Sequence, residues 1–158
     1  MNDVMFHTKD PIGTGGSDAL YERDFLLWTE EQARLLRVRQ LEQLDLDHLI
    51  EEIEDMGNHL RRELKHRLEV LQMHLLKCQY QPAHKSASWL GTLYEQRSEI
   101  QRLLEDCPSL KPKVVEYSEV SYPMARKRAA AETGLPRTLF PVKNPYSKEQ
   151  MLDEEFVP

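Results

Sequence analysis

LDHLIEEIEDMGNHLRRELKHRLEVLQMHLLKCQY, residues 46–80, decides the fold. No proline interrupts it. Leu46, Leu49, Ile50, Ile53, Met56, Leu60, Leu64, Leu68, Leu71, Leu75 and Cys78 recur at steps of three and four. That spacing aligns one face of a 3.6-residue helix, so the stretch predicts a single amphipathic helix of about 35 residues, roughly 50 Å long. Burying the whole stripe supplies about 20–30 kcal/mol. Ordering the backbone costs about 1–2 kcal/mol per residue. Such a helix does not stand alone, and the expectation is that the rest of the chain covers its stripe. Gly57 lies near the middle of the stripe. Glycine in a helix interior costs about 0.5–1 kcal/mol relative to alanine, so close approach of another helix is expected there, with a local bend as the alternative.

Charge along the stretch is ordered. Asp45, Asp47, Glu51, Glu52, Glu54 and Asp55 crowd its start with no Lys or Arg among them, and Arg61, Arg62, Lys65 and Arg67 follow. Early acids suit the positive end of the helix dipole. Asp45 is placed to cap the first turn. Glu63 and Arg67 form an i,i+4 pair.

Upstream, Ser17 or Asp18 is positioned to cap a first helix carrying Tyr21, Phe25, Trp28, Gln32 and Leu35, with a break near Thr29 as an option because Gln32 follows three residues later. Downstream, Gln81-Pro82 ends the long helix. Ser88 is expected to cap a helix bearing Trp89, Leu93, Ile100, Leu103 and Leu104, and Ser109 the next, bearing Leu110, Val114, Tyr117, Val120, Met124 and Ala125. Pro123 predicts a kink or break near Tyr122. Gly134-Leu135-Pro136 is a stop signal. The tail is too apolar to hang free (Leu139, Phe140, Tyr146, Leu152, Phe156) and is expected to lie across the bundle, with Ser147 capping one short helix through Leu152. No strand pattern, hairpin turn or internal repeat occurs. The fold expected is all-α: a helical bundle of four to five helices around one long central helix, 46–80, with the C-terminal tail packed across it. Residues 1–16, ending in Thr14-Gly15-Gly16, are expected to be a flexible leader and 17–158 a single helical domain.

The 158 residues fit one ordinary domain. A net charge of −6 argues against duplex nucleic acid as the partner, despite the local cluster Lys111, Lys113, Arg126, Lys127 and Arg128. No run of 18 apolar residues suggests a membrane span, and 1–16 lacks the basic start and apolar core of a secretory signal. Cys78 and Cys107 have no CxxC spacing, which supports neither a disulfide framework nor a zinc knuckle. Cys78 falls on the stripe and reads as a small core residue. A reducing cytoplasm is the simplest compartment.

YERDFLLWTEEQARLLR (21–37), LDLDHLIEEIEDMG (44–57), HLLKCQYQP (74–82), SWLGTLYEQRSEI (88–100), ETGLP (132–136), LFP (139–141) and NPYSKEQMLDEEFVP (144–158) together resemble the bacterial family called domain of unknown function 29. The resemblance runs from about Tyr21 to the end. It implies a single-domain, all-helical bacterial protein and transfers no reaction, because the family has none established. Cys78 stands where that family is expected to carry an aromatic residue, and His48 where Asn is more usual.

Two constellations are candidate sites. His48, Glu52, Asp55 and His59 occur at i, i+4, i+7 and i+11 on one helix face, and His with carboxylate suits zinc, manganese or iron. His48 and His59 are about 16 Å apart along a helix, so one ion cannot take all four and a second helix must contribute. The competing reading is a solvated polar face. A di-iron site needs Glu-x-x-His on two helices. Here Glu63-Leu64-Lys65-His66 is the one match, and the near match Asp45-Leu46-Asp47-His48 lies on the same helix. The second candidate is a pocket among Glu51, Glu52, His74, Lys77, Gln81 and Trp89. His74 sits at the edge of the stripe, where a hydrogen-bonded core histidine is the plainer reading. On one ideal helix the two carboxylates face away from His74. No nucleophile elbow, phosphate loop, dinucleotide fingerprint or HExxH motif occurs.

The function expected is a non-enzymatic helical interaction module, a homo-oligomer or one that pairs with another helical protein, without a cofactor. The alternative is a metal-dependent hydrolase or nuclease using a divalent transition metal held by the long helix.

Overall fold

A computed structural model describes residues 15–158. Six α-helices are present among the described residues, and no strand: α1 (Gly15–Arg23), α2 (Phe25–Arg37), α3 (Leu46–Tyr80), α4 (Ala87–Asp106), α5 (Val114–Thr133) and α6 (Lys148–Leu152). The fold class is all-α, with α3 as its long central helix, running unbroken through Gly57. The chain divides into two compact units, Met1–Met56 and Gly57–Pro158, which α3 enters in turn. The leader expected over 1–16 lies, through Thr14, outside the described residues. Helix α1 is already under way at Gly15, ahead of the expected caps Ser17 and Asp18.

In the first unit the upstream helix breaks at Asp24, not near Thr29. The Asp24 carboxylate accepts the Leu27 N–H at 3.0 Å and starts α2. Thr29 stays inside that helix, its hydroxyl donating to the Leu26 carbonyl. Trp28, Gln32 and Leu35 form the buried side of α2. Asp45 sits at the start of α3, where its carbonyl accepts the Leu49 N–H at 3.0 Å and its carboxylate the His48 N–H at 3.5 Å.

The second unit holds the main core. Leu64, Leu68, Leu71, Leu75 and Cys78 of α3 are fully buried. They belong to one apolar cluster with Leu93, Ile100 and Leu104 of α4, Val114, Tyr117, Tyr122, Ala125 and Ala129 of α5, and Phe140, Tyr146 and Met151 of the tail. Ser86, not Ser88, caps α4, its hydroxyl accepting the Trp89 N–H. Ser109 caps nothing. Residues Pro108–Lys113 form a 3₁₀ segment instead, and α5 begins at Val114 without a side-chain cap. Helix α5 also passes through Pro123 without the expected break. Pro123 and Glu119 are exposed, so water reaches the carbonyl that loses its donor, while buried Tyr122 and Ala125 anchor the turn on the other side. Gly134 ends α5 in the left-handed region at φ 71°.

The tail is packed across this unit, held by polar contacts as well as by its apolar side chains. The buried Arg97 guanidinium donates to the carbonyls of Met151 at 2.8 Å and Phe156 at 2.7 Å, with longer bonds to Gln150 and Glu154. The Tyr122 hydroxyl donates to the Pro141 carbonyl and the Tyr146 hydroxyl to Gln79 Oε1. Ser147 and Gln150 form a reciprocal capping box on α6.

One expectation fails. Burial along the stripe of α3 is complete only from Leu64 onward, with Leu60 partly buried against the same core and Leu49 partly covered. Leu46, Ile50, Ile53 and Met56 are between 54 and 69 % exposed. No other helix approaches Gly57 closely among the described residues: a Cβ placed there meets only Arg61 Nη1, at 3.5 Å. The physical reason is which face the first unit uses. The α1–α2 pair engages α3 through His48 and Glu52, and these lie off the leucine line. Apart from the partly covered Leu49, the apolar face of residues 46–56 is open to solvent.

Candidate functional site

The polar face of α3 in the first unit is a hydrogen-bonded aromatic cluster. The Tyr21 hydroxyl donates to Glu52 Oε1 at 2.6 Å, and the Tyr21 ring stacks on His48 with centroids 3.9 Å apart. His48 Nδ1 lies 2.8 Å from Asp45 Oδ2, and the same carboxylate oxygen accepts the Trp28 indole N–H at 3.0 Å. Gln32 Oε1 accepts the Asp45 backbone N–H. Accepting from Tyr21, Glu52 favours the protonated phenol. With desolvation and the nearby charges of Glu51 and Asp55, this pushes the Tyr21 pKa up to about 12. Tyr21 is therefore a steady donor at neutral pH. The cluster joins α1 and α2 to the start of α3.

Of the four metal-ligand candidates, His48 and Glu52 are both engaged by Tyr21 in this way, while Asp55 and His59 are exposed. Among the described residues, no three His, Cys, Asp or Glu side chains converge so as to hold a metal ion. The Glu63-x-x-His66 pair does not converge: Glu63 is ion-paired with Arg67, and His66 is exposed.

The other candidate set is split between the units. Glu51 and Glu52 belong to the first. In the second, Lys77 Nζ lies 4.5 Å above the Trp89 ring and 2.7 Å from Glu132 Oε2. Gln81 donates to the Thr133 carbonyl at 2.9 Å. These contacts fasten α3 to α5 and to the start of α4. His74 is buried, with Nδ1 3.0 Å from the Val70 carbonyl one turn back. Burial lowers its pKa, against a smaller opposing effect of that hydrogen bond. The neutral ring is thus the folded form. Sequence reasoning missed Glu132, 55 residues from Lys77 in the chain, because no local pattern announces so distant a partner.

The sign of the His74 shift gives a pH prediction. Its folded pKa is below its unfolded value of about 6.5. Full stability is present above that value, and the unfolded chain takes up a proton first as the pH falls. Denaturant midpoints are expected to fall below about pH 6.5, with a shallower slope in His74→Gln. Equal slopes in the two proteins would refute the assignment.

An open cleft of about 270 Å³ lies in the second unit among Leu60, Leu103, Cys107, Glu63, Glu99, Arg102 and Asp106. Glu63 and Glu99 are both paired with Arg67, and Glu99 also with Arg102, so neither is a free base. Burial pushes the Cys78 thiol up, away from nucleophilic character.

What remains is a surface. Leu46, Ile50, Ile53 and Met56 form an exposed apolar line on α3, bordered along one edge by exposed Asp47, Glu51 and Glu54. Phe25, Leu26, Leu27, Leu36, Val38 and Leu41 of the same unit are also open. The periodicity of α3 looks alike in its open and covered halves, so it held no signal of this face.

An all-α chain with a long central helix, an apolar face open on its first half and a tail held across the second unit is what the coordinates define. Residues 20–157 match the family described as Domain of unknown function DUF29, and the chain belongs to that family. No curated protein and no solved structure matches it. Among the described residues no helix is long and apolar enough to cross a membrane.

Proposed function

We propose that this protein is a non-enzymatic helical docking module that receives a partner on the open face of α3. The observation that carries the reading is the exposure of Leu46, Ile50, Ile53 and Met56 on one continuous helix whose later stripe is fully buried. With more than half of each side chain open, the four expose an apolar area on the order of 400 Å², which on a monomer commonly marks an interaction site. The alternative, a metal-dependent hydrolase or nuclease, draws no support from His48 and Glu52, whose side chains are committed to Tyr21. The free thiols of Cys78 and Cys107 fit a reducing compartment such as the cytoplasm.

A photo-reactive benzoylphenylalanine at position 53 tests the reading. Irradiated in the producing cells, it is expected to give one defined cross-linked protein. The same residue at position 94, exposed on α4, is expected to give none. Loss of the product on adding Ile50→Glu, with unchanged circular dichroism, supports a docking face. No product from position 53, or the same product from both positions, overturns it.

A further inference from the structure

The docking reading leaves the partner open, and the charge around the face narrows it. Resting on that reading, we infer that the occupant is a basic amphipathic helix of another protein and not a second copy of this chain. Between residues 45 and 56 the chain carries six carboxylates, five of them on α3, and no Lys or Arg. Glu52 is taken by Tyr21. Asp47, Glu51 and Glu54 follow the apolar line along one edge, exposed to water.

A second copy meets this edge with its own acids. In an antiparallel two-fold pairing centred on the line, Glu51 lies opposite Glu51 of the copy, and the Asp47–Glu54 edge runs against itself. A parallel pairing sets that edge against the opposite edge of the copy, which between residues 45 and 56 carries Glu52 and no Lys or Arg. Like charges so placed oppose association. Sliding the copy along to set acids against the later bases is closed off. In residues 61–68 the stripe leucines Leu64 and Leu68 are fully buried. Arg67 is held by Glu63 at 2.9 Å and Glu99 at 3.1 Å, and Lys65 lies 4.6 Å above the Tyr117 ring. Of the later bases, Lys65 and Arg67 are thus in use; Arg61 and Arg62 are exposed, but a copy slid onto them would have to lie over a stripe that is already buried. The area points the same way. A stable globular interface takes about 800 Å² per partner, about twice what this line exposes, whereas a single helix laid along it needs only anchors at i, i+3, i+4 and i+7. A helix with such apolar anchors and Lys or Arg along its border fits both the line and its edge.

Two designed helical peptides of about 18 residues test this. They share leucine anchors and differ only in carrying Lys or Glu along the border. Titration into the full-length protein, followed by fluorescence anisotropy, is expected to show the Lys peptide binding at least about tenfold tighter at low salt, with the gap closing as salt rises. The double variant Glu51→Lys/Glu54→Lys alters exposed positions only and is expected to reverse the preference. Ile53→Glu is expected to abolish binding of both. Equal affinity for the two peptides overturns the basic-partner inference and leaves the docking face standing. A mass in light scattering that doubles with concentration and excludes both peptides overturns it in favour of a second copy. A strict monomer that binds neither peptide overturns the inference and the docking reading together.

Discussion

Leu71→Ala is expected to lower the stability of the second unit by about 2–5 kcal/mol, and Ile53→Ala to change the protein's stability by no more than about 0.5 kcal/mol. Both residues lie on the same line of the same helix, at the spacing that defines it. Leu71 is fully enclosed by the α3–α4–α5–tail cluster. Its truncation removes transfer energy and leaves a cavity that close-packed neighbours fill only in part. Ile53 is 66 % exposed, so truncation removes little that folding had taken from water, and alanine is the better helix former. Urea denaturation of the two variants reads the difference directly. Comparable losses would mean that residues 46–56 are covered in the native protein and that the docking face is misassigned.

Arg97→Ala is the second large effect. Arg97 is only 3 % exposed and, among the described residues, no carboxylate pairs with its guanidinium directly; its hydrogen bonds go to carbonyls of the last turn of α6 and the residues after it. Burial pulls its pKa down from the ordinary value, opposed by the more distant charges of Asp153 and Glu154. It remains charged at any ordinary pH, because a guanidinium starts above 12. Hydrogen bonds to a charged group contribute about 1.5–3 kcal/mol each when a partner is left unsatisfied. Alanine would strand the Met151 and Phe156 carbonyls and remove the anchor of residues 148–156. A loss of about 2–4 kcal/mol is expected, together with faster hydrogen exchange confined to that segment and to its contacts on α4. Arg97→Lys is expected to recover only part of it, since one ammonium cannot reach the spread of acceptors that the planar fork spans. Wild-type exchange in the tail of Arg97→Ala would refute the clasp.

Much of this was legible in the residue order, and the failures share a cause. Helix α3 could be read end to end because its period is a local property of the chain. The stop at Gly134 and the cap at Ser147 were legible for the same reason: a cap involves residues three or four apart. Which half of the leucine line is covered depends on where α4, α5 and the tail lie, and no feature of 46–60 encodes that. Caps were misplaced where two candidates stood close together, Ser86 against Ser88 and Asp24 against Thr29, since only the backbone path chooses between them. Pro123, read as a kink or a break, does not break α5, because its cost depends on whether the orphaned carbonyl faces water. In the candidate site, the shared face of His48 and Glu52 was visible in the spacing. The stacking of Tyr21 upon it, from 27 residues upstream, was not.

The two tryptophans of the chain fall one to each unit, Trp28 enclosed in the first and Trp89 beneath the Lys77 ammonium in the second. Each unit thus carries its own optical reporter. Trp28→Phe and Trp89→Phe split the emission into two independent channels, and coincident or staggered melting curves from the pair would tell whether the long helix transmits cooperativity from one unit to the other.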